Sequence, residues 1–267
     1  MLDRVKRLWK KIWNGEIIWR FFPERGFYYL SKKYQKELRS GKPFIVRFEY
    51  GGLGDHLTWS SIPKLVYEKY GVKMGISKSS EFRSNNIREF VWGKNPYTYV
   101  SDEPGKSYGS SNYGGETYNE INQRLFGVEG ELFNLYYAPK ERPEVKNKTV
   151  CDFTFASAGV QGYEKQEFWD SLVTYLRSQK GQLMLICREE NDLISFVKKT
   201  LGLEVVYYHS IEELADLIHS AENRIFLGSG ARSLAAAYNL PSTIVDTKTM
   251  NSIAHLFQYP SGTYIVL

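Results

Sequence analysis

The feature that most limits what this chain can fold into is a repeated grammar of buried-type strand, turn and amphipathic helix. It starts near residue 43 and starts again near residue 149. In the first half, residues 43–48 read as a strand, 51–55 as a tight turn with three glycines, and 56–70 as a helix. Strands at 73–77 and 97–101 follow, separated by a helical segment carrying Phe82, Ile87, Phe90 and Val91. A Gly/Ser/Tyr-rich loop at 105–115 then leads into a helix at 117–126. In the second half, strands at 149–156, 182–187, 204–208 and 224–227 alternate with helices at 167–178, 211–220 and 232–238. Alternation of this kind builds parallel sheets covered by helices on both faces. Between the halves, residues 138–148 (APKERPEVKNK) carry two prolines and many charges, which marks a boundary near residue 142. The expected fold is α/β, with two Rossmann-like doubly wound domains, 1–142 and 143–267, facing a ligand cleft. No internal repeat is visible at the residue level.

Charge narrows the partners. The net charge of +5 is concentrated at the start, where Arg4, Lys6, Arg7, Lys10 and Lys11 stand against Asp3 alone. Leu2, Val5, Leu8, Trp9, Ile12 and Trp13 recur there at helical spacing, so residues 1–14 read as a basic amphipathic helix. It suits an anionic membrane surface and equally suits packing on the protein's own body. Cations gathered in one short segment, without interleaved aromatics over a wider face, argue against a nucleic-acid partner. No apolar run spans a bilayer or forms a signal peptide, so a cytoplasmic protein is expected, peripheral at the inner membrane face if the helix binds lipid. Cys151 and Cys187 sit singly in apolar runs and support neither a disulfide framework nor a metal site.

Two segments carry the chemistry. In Phe48-Glu49-Tyr50-Gly51-Gly52-Leu53-Gly54-Asp55-His56-Leu57, Gly51, Gly52 and Gly54 let backbone approach a ligand closely, and the helix start offers N–H groups to an anion. The spacing is neither a dinucleotide fingerprint nor a Walker A loop. Asp55 is either a functional carboxylate or a helix N-cap. In Leu227-Gly228-Ser229-Gly230-Ala231-Arg232-Ser233 a strand ends in a Gly-Ser-Gly turn and re-enters a small-residue helix. There, backbone amides, the Ser229 hydroxyl and the Arg232 guanidinium converge on a diphosphate, or Arg232 forms a surface ion pair.

The first segment, followed by Pro63, resembles the N-terminal strand-GD-helix-Pro pattern of ADP-heptose:lipopolysaccharide heptosyltransferases, glycosyltransferases of the GT-B fold. The order Ser210-Ile211-Glu212-Glu213-Leu214, Leu227-Gly228-Ser229-Gly230, Leu234-Ala235-Ala236-Ala237 and Pro241 is similar to that family's C-terminal block. Lys165-Gln166-Glu167-Phe168-Trp169 resembles its Lys-x-Trp-type helix start. The resemblance covers roughly residues 43–70 and 149–245. It departs where the family has Asp-Ser/Thr-Gly-x-x-His, since here Gly228 and Ser233 replace the acid and the histidine.

The resemblance implies transfer of a sugar from a nucleotide-diphosphate-sugar to a glycan or lipid-linked acceptor, in surface polysaccharide biosynthesis and without a cofactor. The N-terminal domain would hold the acceptor and the C-terminal domain the donor. No Asp-x-Asp triad occurs, so a metal-bridged diphosphate is not expected. Asp55, with His56 as substitute, would be the general base. Lys165, Ser229, Gly230, Arg232 and Ser233 would hold the diphosphate, and Glu189 the ribose. The altered C-terminal block leaves a second reading open, a catalytically degenerate nucleotide-sugar-binding protein.

Overall fold

The computed structural model describes residues 23–108, 116–155, 162–247 and 257–267. The amphipathic segment 1–14 and most of the Gly/Ser/Tyr-rich loop lie outside them. The chain forms two compact units. Among the described residues, one gathers those up to Gly51 with Thr58–Glu81 and Asn95–Asn134. The other gathers Gly52–Leu57, Phe82–Lys94 and Leu135–Leu267.

The first unit is built on a four-stranded, all-parallel sheet. Its strands are β1 (Phe44–Phe48), β2 (Met74–Ser77), β3 (Thr98–Ser101) and β4 (Lys106–Tyr108), in the order β3-β2-β1-β4. The apolar pattern of β1 and β2 is that of strands buried on both faces. Strand β4 falls where the sequence reads as loop, because a three-residue run carries no periodicity of its own. Helix α1 (Pro23–Arg39) contributes Tyr34 to a ring cluster with Phe44, Phe126, Trp59 and Phe48, with successive centroids 5.2 to 5.8 Å apart and edge-on.

The helix expected at 56–70 is two helices, α2 (Leu53–Leu57) and α3 (Ile62–Tyr70). Pro63 explains the break. Its missing N–H and fixed φ fit the first turn of α3 and would disrupt the middle of a longer helix. The segment around Phe90 is a short helix, α4 (Asn85–Arg88), running into a π-type turn at Glu89–Gly93. Helix α5 (Tyr118–Phe126) starts with a full capping box between Thr117 and Glu120.

The second unit carries a six-stranded, all-parallel sheet. Its strands are β5 (Lys148–Asp152), β6 (Gln182–Cys187), β7 (Val205–Tyr207), β8 (Asn223–Phe226), β9 (Ser242–Asp246) and β10 (Gly262–Val266). They lie in the order β10-β9-β8-β5-β6-β7, which is the doubly wound 3-2-1-4-5-6 arrangement counted within the unit. The last two strands were not legible from the sequence. Helices α6 (Gln166–Arg177), α7 (Asp192–Leu201), α8 (Ile211–Ser220) and α9 (Gly230–Ala237) connect the strands. Asn191 and Ser210 cap α7 and α8 by accepting the N–H groups of Ile194 and Glu213. Arg224 closes the far end of α8, its guanidinium donating to the carbonyls of Ile218, His219 and Ala221.

The core of this unit includes Phe153, Tyr163, Phe168, Leu172, Leu185, Ile194 and Val245, with both cysteines. Burial holds the Cys151 and Cys187 thiols well above their usual range, so both behave as packing residues. No helix among the described residues is long and apolar enough to cross a membrane.

Candidate functional site

In a doubly wound sheet, ligands bind beyond the carboxyl ends of the strands, at the point where the strand order reverses. In the second unit that point lies between β5 and β8. The turn Gly228-Ser229-Gly230 leaves β8 there and enters α9. The first N–H groups of an α-helix have no partner within the helix. Ser229 is the N-cap residue, with extended backbone, yet its side chain makes no capping bond. Its Oγ is buried and has no hydrogen-bond partner among the described residues. One turn on, Arg232 is only 5% exposed, and its Nε and Nη1 are likewise without a partner among them. The guanidinium lies over the Phe257 ring, 5.1 Å from its centroid. Buried donors normally find acceptors, because each one left unmade costs about 1–3 kcal/mol. A buried cation and a buried hydroxyl thus stand beside a helix start without a side-chain cap, a combination whose chemistry suits an anion.

The same place holds residues that the sequence did not single out. The Tyr163 hydroxyl accepts the Gly228 N–H at 2.9 Å and lies 3.2 Å from Asp246 Oδ1, to which it donates. Burial raises the Asp246 carboxyl above the usual range, and the Arg232 charge and the Tyr163 bond pull the other way. Ser233 is fully buried, with Oγ 3.3 Å from the Tyr259 hydroxyl. Asp152, at the end of β5, accepts the Thr154 N–H at 2.7 Å and the Tyr208 hydroxyl at 3.2 Å. Burial pushes its carboxyl up to about 6. A single aspartate closing a strand is too common a pattern to have flagged Asp152 or Asp246 in advance.

Helix α2, from the glycine loop, packs on α9 within this unit. A Cβ on Gly54 would meet Ser233 Oγ at 3.2 Å, and one on Gly230 would meet Leu53 Cβ at 3.0 Å. Two of the glycines read as ligand-approach positions thus also set how closely the helices cross. Asp55 is the third residue of α2, not its N-cap. Its Oδ2 accepts the Gly52 N–H at 3.2 Å, the reach-back half of a capping box. Gly52 has no room for a side chain, since a Cβ there would lie 2.7 Å from the same oxygen and 3.7 Å from Arg83 Nη1. Burial raises the Asp55 carboxyl, while the Gly52 bond and the Arg83 charge lower it.

His56 lies elsewhere in character. It is 0% exposed, its ring stacks on Phe82 at 4.4 Å, and its Nδ1 accepts the Trp92 indole N–H at 3.2 Å. Lys165 is exposed at the start of α6, and Glu189 is exposed on the bend after β6. Its neighbour Glu190 is held by Lys198, Tyr207 and Ser195. Gly51 is half-buried and falls in the first unit. No three His, Cys, Asp or Glu side chains among the described residues gather as a metal ion would need.

The fold, a doubly wound, all-parallel α/β unit, is similar to that of solved heptosyltransferase-type glycosyltransferases. By sequence the chain is 24% identical over 226 residues to the autotransporter heptosyltransferase Aah of Escherichia coli, covering 76% of this chain and 56% of that protein. By structure it resembles TibC, an iron-containing dodecameric glycosyltransferase of enterotoxigenic E. coli, with a TM-score of 0.59 at 17% identity over 83% of this chain and 62% of that one. TibC is also known in complex with ADP-D-β-D-heptose. A family 9 glycosyltransferase of Veillonella parvula matches with a TM-score of 0.58 at 10% identity, covering 85% of each chain. The chain thus spans a little over half the length of Aah and about six-tenths of TibC. No family model matches the sequence.

Proposed function

We propose that this chain is a glycosyltransferase that takes a sugar from a nucleotide-diphosphate-sugar and passes it to a glycan or lipid-linked acceptor, without a metal, in surface polysaccharide biosynthesis. The observation that carries the reading is the buried Arg232 guanidinium beside the uncapped start of α9, with Nε and Nη1 that have no partner among the described residues. The diphosphate sits on the Gly230 and Ala231 amides, Ser229 Oγ and Arg232, and Lys165 approaches from the start of α6. Charge that builds on the diphosphate as the glycosidic bond breaks is met by fixed donors already in place. Glu189 meets the ribose. The donor thus belongs to the six-stranded unit.

Asp55 is the general base that takes the acceptor hydroxyl's proton. Burial raises its carboxyl, which makes it a better base than an ordinary surface aspartate, while the Gly52 bond and the Arg83 charge lower it. The packing of His56 leaves that residue a supporting role. The basic segment 1–14 holds the enzyme at the inner leaflet of the membrane. The name of Aah favours a second acceptor class, an autotransporter.

The test is incubation with a panel of nucleotide-sugars and candidate acceptors, read by mass spectrometry. Release of a nucleoside diphosphate with a matching mass gain on the acceptor supports transfer. Binding of the donor with no release would reduce the chain to the degenerate binder, and no binding of any nucleotide would remove the donor site.

A further inference from the structure

The donor reading leaves one group of the site unused, the buried carboxylate of Asp246. It is 5% exposed, as is Arg232, and the two charges act on one another. Yet no hydrogen bond or ion pair joins them among the described residues. Asp246 and Arg232 are thus opposite charges, both buried in one unit, with no direct contact among the described residues. An anion alone does not complete the arrangement, because a carboxylate repels it. A hydroxyl group does, since it carries one O–H to donate to a carboxylate and lone pairs to accept from a guanidinium.

The position of Asp246 says which hydroxyl this is. Strands β8 and β9 pair with Phe226 opposite Ile244, so two residues further on Gly228 and Asp246 stand level at the carboxyl edge of the sheet. Tyr163 ties them together, its hydroxyl bonded both to the Gly228 N–H and to Asp246 Oδ1. The carboxylate is thereby fixed against the turn that holds the diphosphate, and its Oδ2 has no partner among the described residues. In a nucleotide-sugar, the group attached to the distal phosphate is the sugar ring.

We infer that Asp246, positioned by Tyr163 and set beside Arg232, reads a hydroxyl of the transferred sugar and so separates the intact donor from the nucleoside diphosphate left after transfer. This rests on the donor reading above. Asp246 supplies from the neighbouring strand a carboxylate that the turn itself, with Gly228 at its head, lacks.

The experiment is titration calorimetry of wild type, Asp246→Asn and Asp246→Ser with ADP, UDP and GDP, each with and without an attached sugar. Both substitutions keep an acceptor for Tyr163, so whichever retains a cooperative melt at the wild-type temperature serves. The expected result is a loss of roughly tenfold to a hundredfold in affinity for the intact nucleotide-sugar, the range of one lost charge-assisted hydrogen bond. Affinity for the matching nucleoside diphosphate stays level or rises, because a negative charge near the phosphates has gone. Equal losses for both ligands, or none for either, overturn the inference while leaving the donor site in place. If wild type binds no nucleotide of either kind, the donor reading fails and the inference with it.

Discussion

Replacing Arg232 by methionine separates a cation waiting for a ligand from one half of a structural ion pair. Methionine roughly fills the volume of the arginine stem and removes the charge. If Arg232 were a structural partner of Asp246, the change would strand a buried carboxylate and cost about 3–5 kcal/mol of stability. The structure argues for a smaller cost. Two guanidinium nitrogens are buried without acceptors among the described residues, and removing them recovers about 1–3 kcal/mol each. Against that stand the stacking on Phe257, worth about 0.5–2 kcal/mol, and the attraction of Asp246. Without Arg232 one of the influences that lower the Asp246 carboxyl is gone, so burial favours its neutral form more strongly and lessens the stranded charge. The terms nearly offset, so urea denaturation is expected to place Arg232→Met within about 1 kcal/mol of wild type. Calorimetry on the same protein is expected to show nucleoside diphosphate affinity lowered roughly tenfold to a hundredfold. A loss of 3 kcal/mol or more with unchanged nucleotide affinity would refute the reasoning and make Arg232 a structural residue.

Further expectations concern the carboxylates and the first residues of the chain. Asp55→Asn keeps shape and the Gly52 bond but loses basicity, so kcat should fall about 10²- to 10⁴-fold at an unchanged melting temperature; an active variant would leave Asp55 as a helix-start residue alone. Arg83→Gln removes a charge that lowers the Asp55 carboxyl, so carbon-13 NMR of that carboxyl should titrate at higher pH than in wild type, and an identical titration curve would clear Arg83 of the role. Asp152 has its folded-state value raised to about 6, above its ordinary 3.8, so its own contribution to stability should be full below about pH 4 and fall by about 3 kcal/mol as pH rises to 6. Asp152→Asn should flatten that limb of the pH–stability curve, and an unchanged limb would assign it to other groups. Deleting residues 1–14, with five cations and two tryptophans, should abolish binding to anionic vesicles, and equal binding would reject the interfacial reading.

The parallel sheets were legible because parallel strands buried on both faces leave continuous apolar runs, as at Phe44–Phe48 and Gln182–Cys187. Strands Ser242–Asp246 and Gly262–Val266 were missed. The first follows Pro241 directly, and both are short runs that a loop or a strand would satisfy equally. The Gly-Ser-Gly turn and Arg232 stood out because glycine, serine and arginine at a strand-to-helix junction are each suited to an anion. What spacing could not convey was depth. Nothing in the pattern separates the half-buried Asp55 from its fully buried neighbour His56, whose partners Phe82 and Trp92 come from a distant segment. Tyr163 and Asp246 are joined only by the register of β8 on β9 and by the path of the chain before α6, and neither is readable along the sequence.

The most direct test of the account is a crystal structure with a bound nucleoside diphosphate. The account predicts the diphosphate at the start of α9, with its oxygens within hydrogen-bond distance of the Gly230 and Ala231 amides, Ser229 Oγ and Arg232, so that Arg232 Nε and Nη1, without a partner among the described residues, acquire acceptors. A diphosphate bound anywhere else, with Ser229 and Arg232 unchanged, would contradict it.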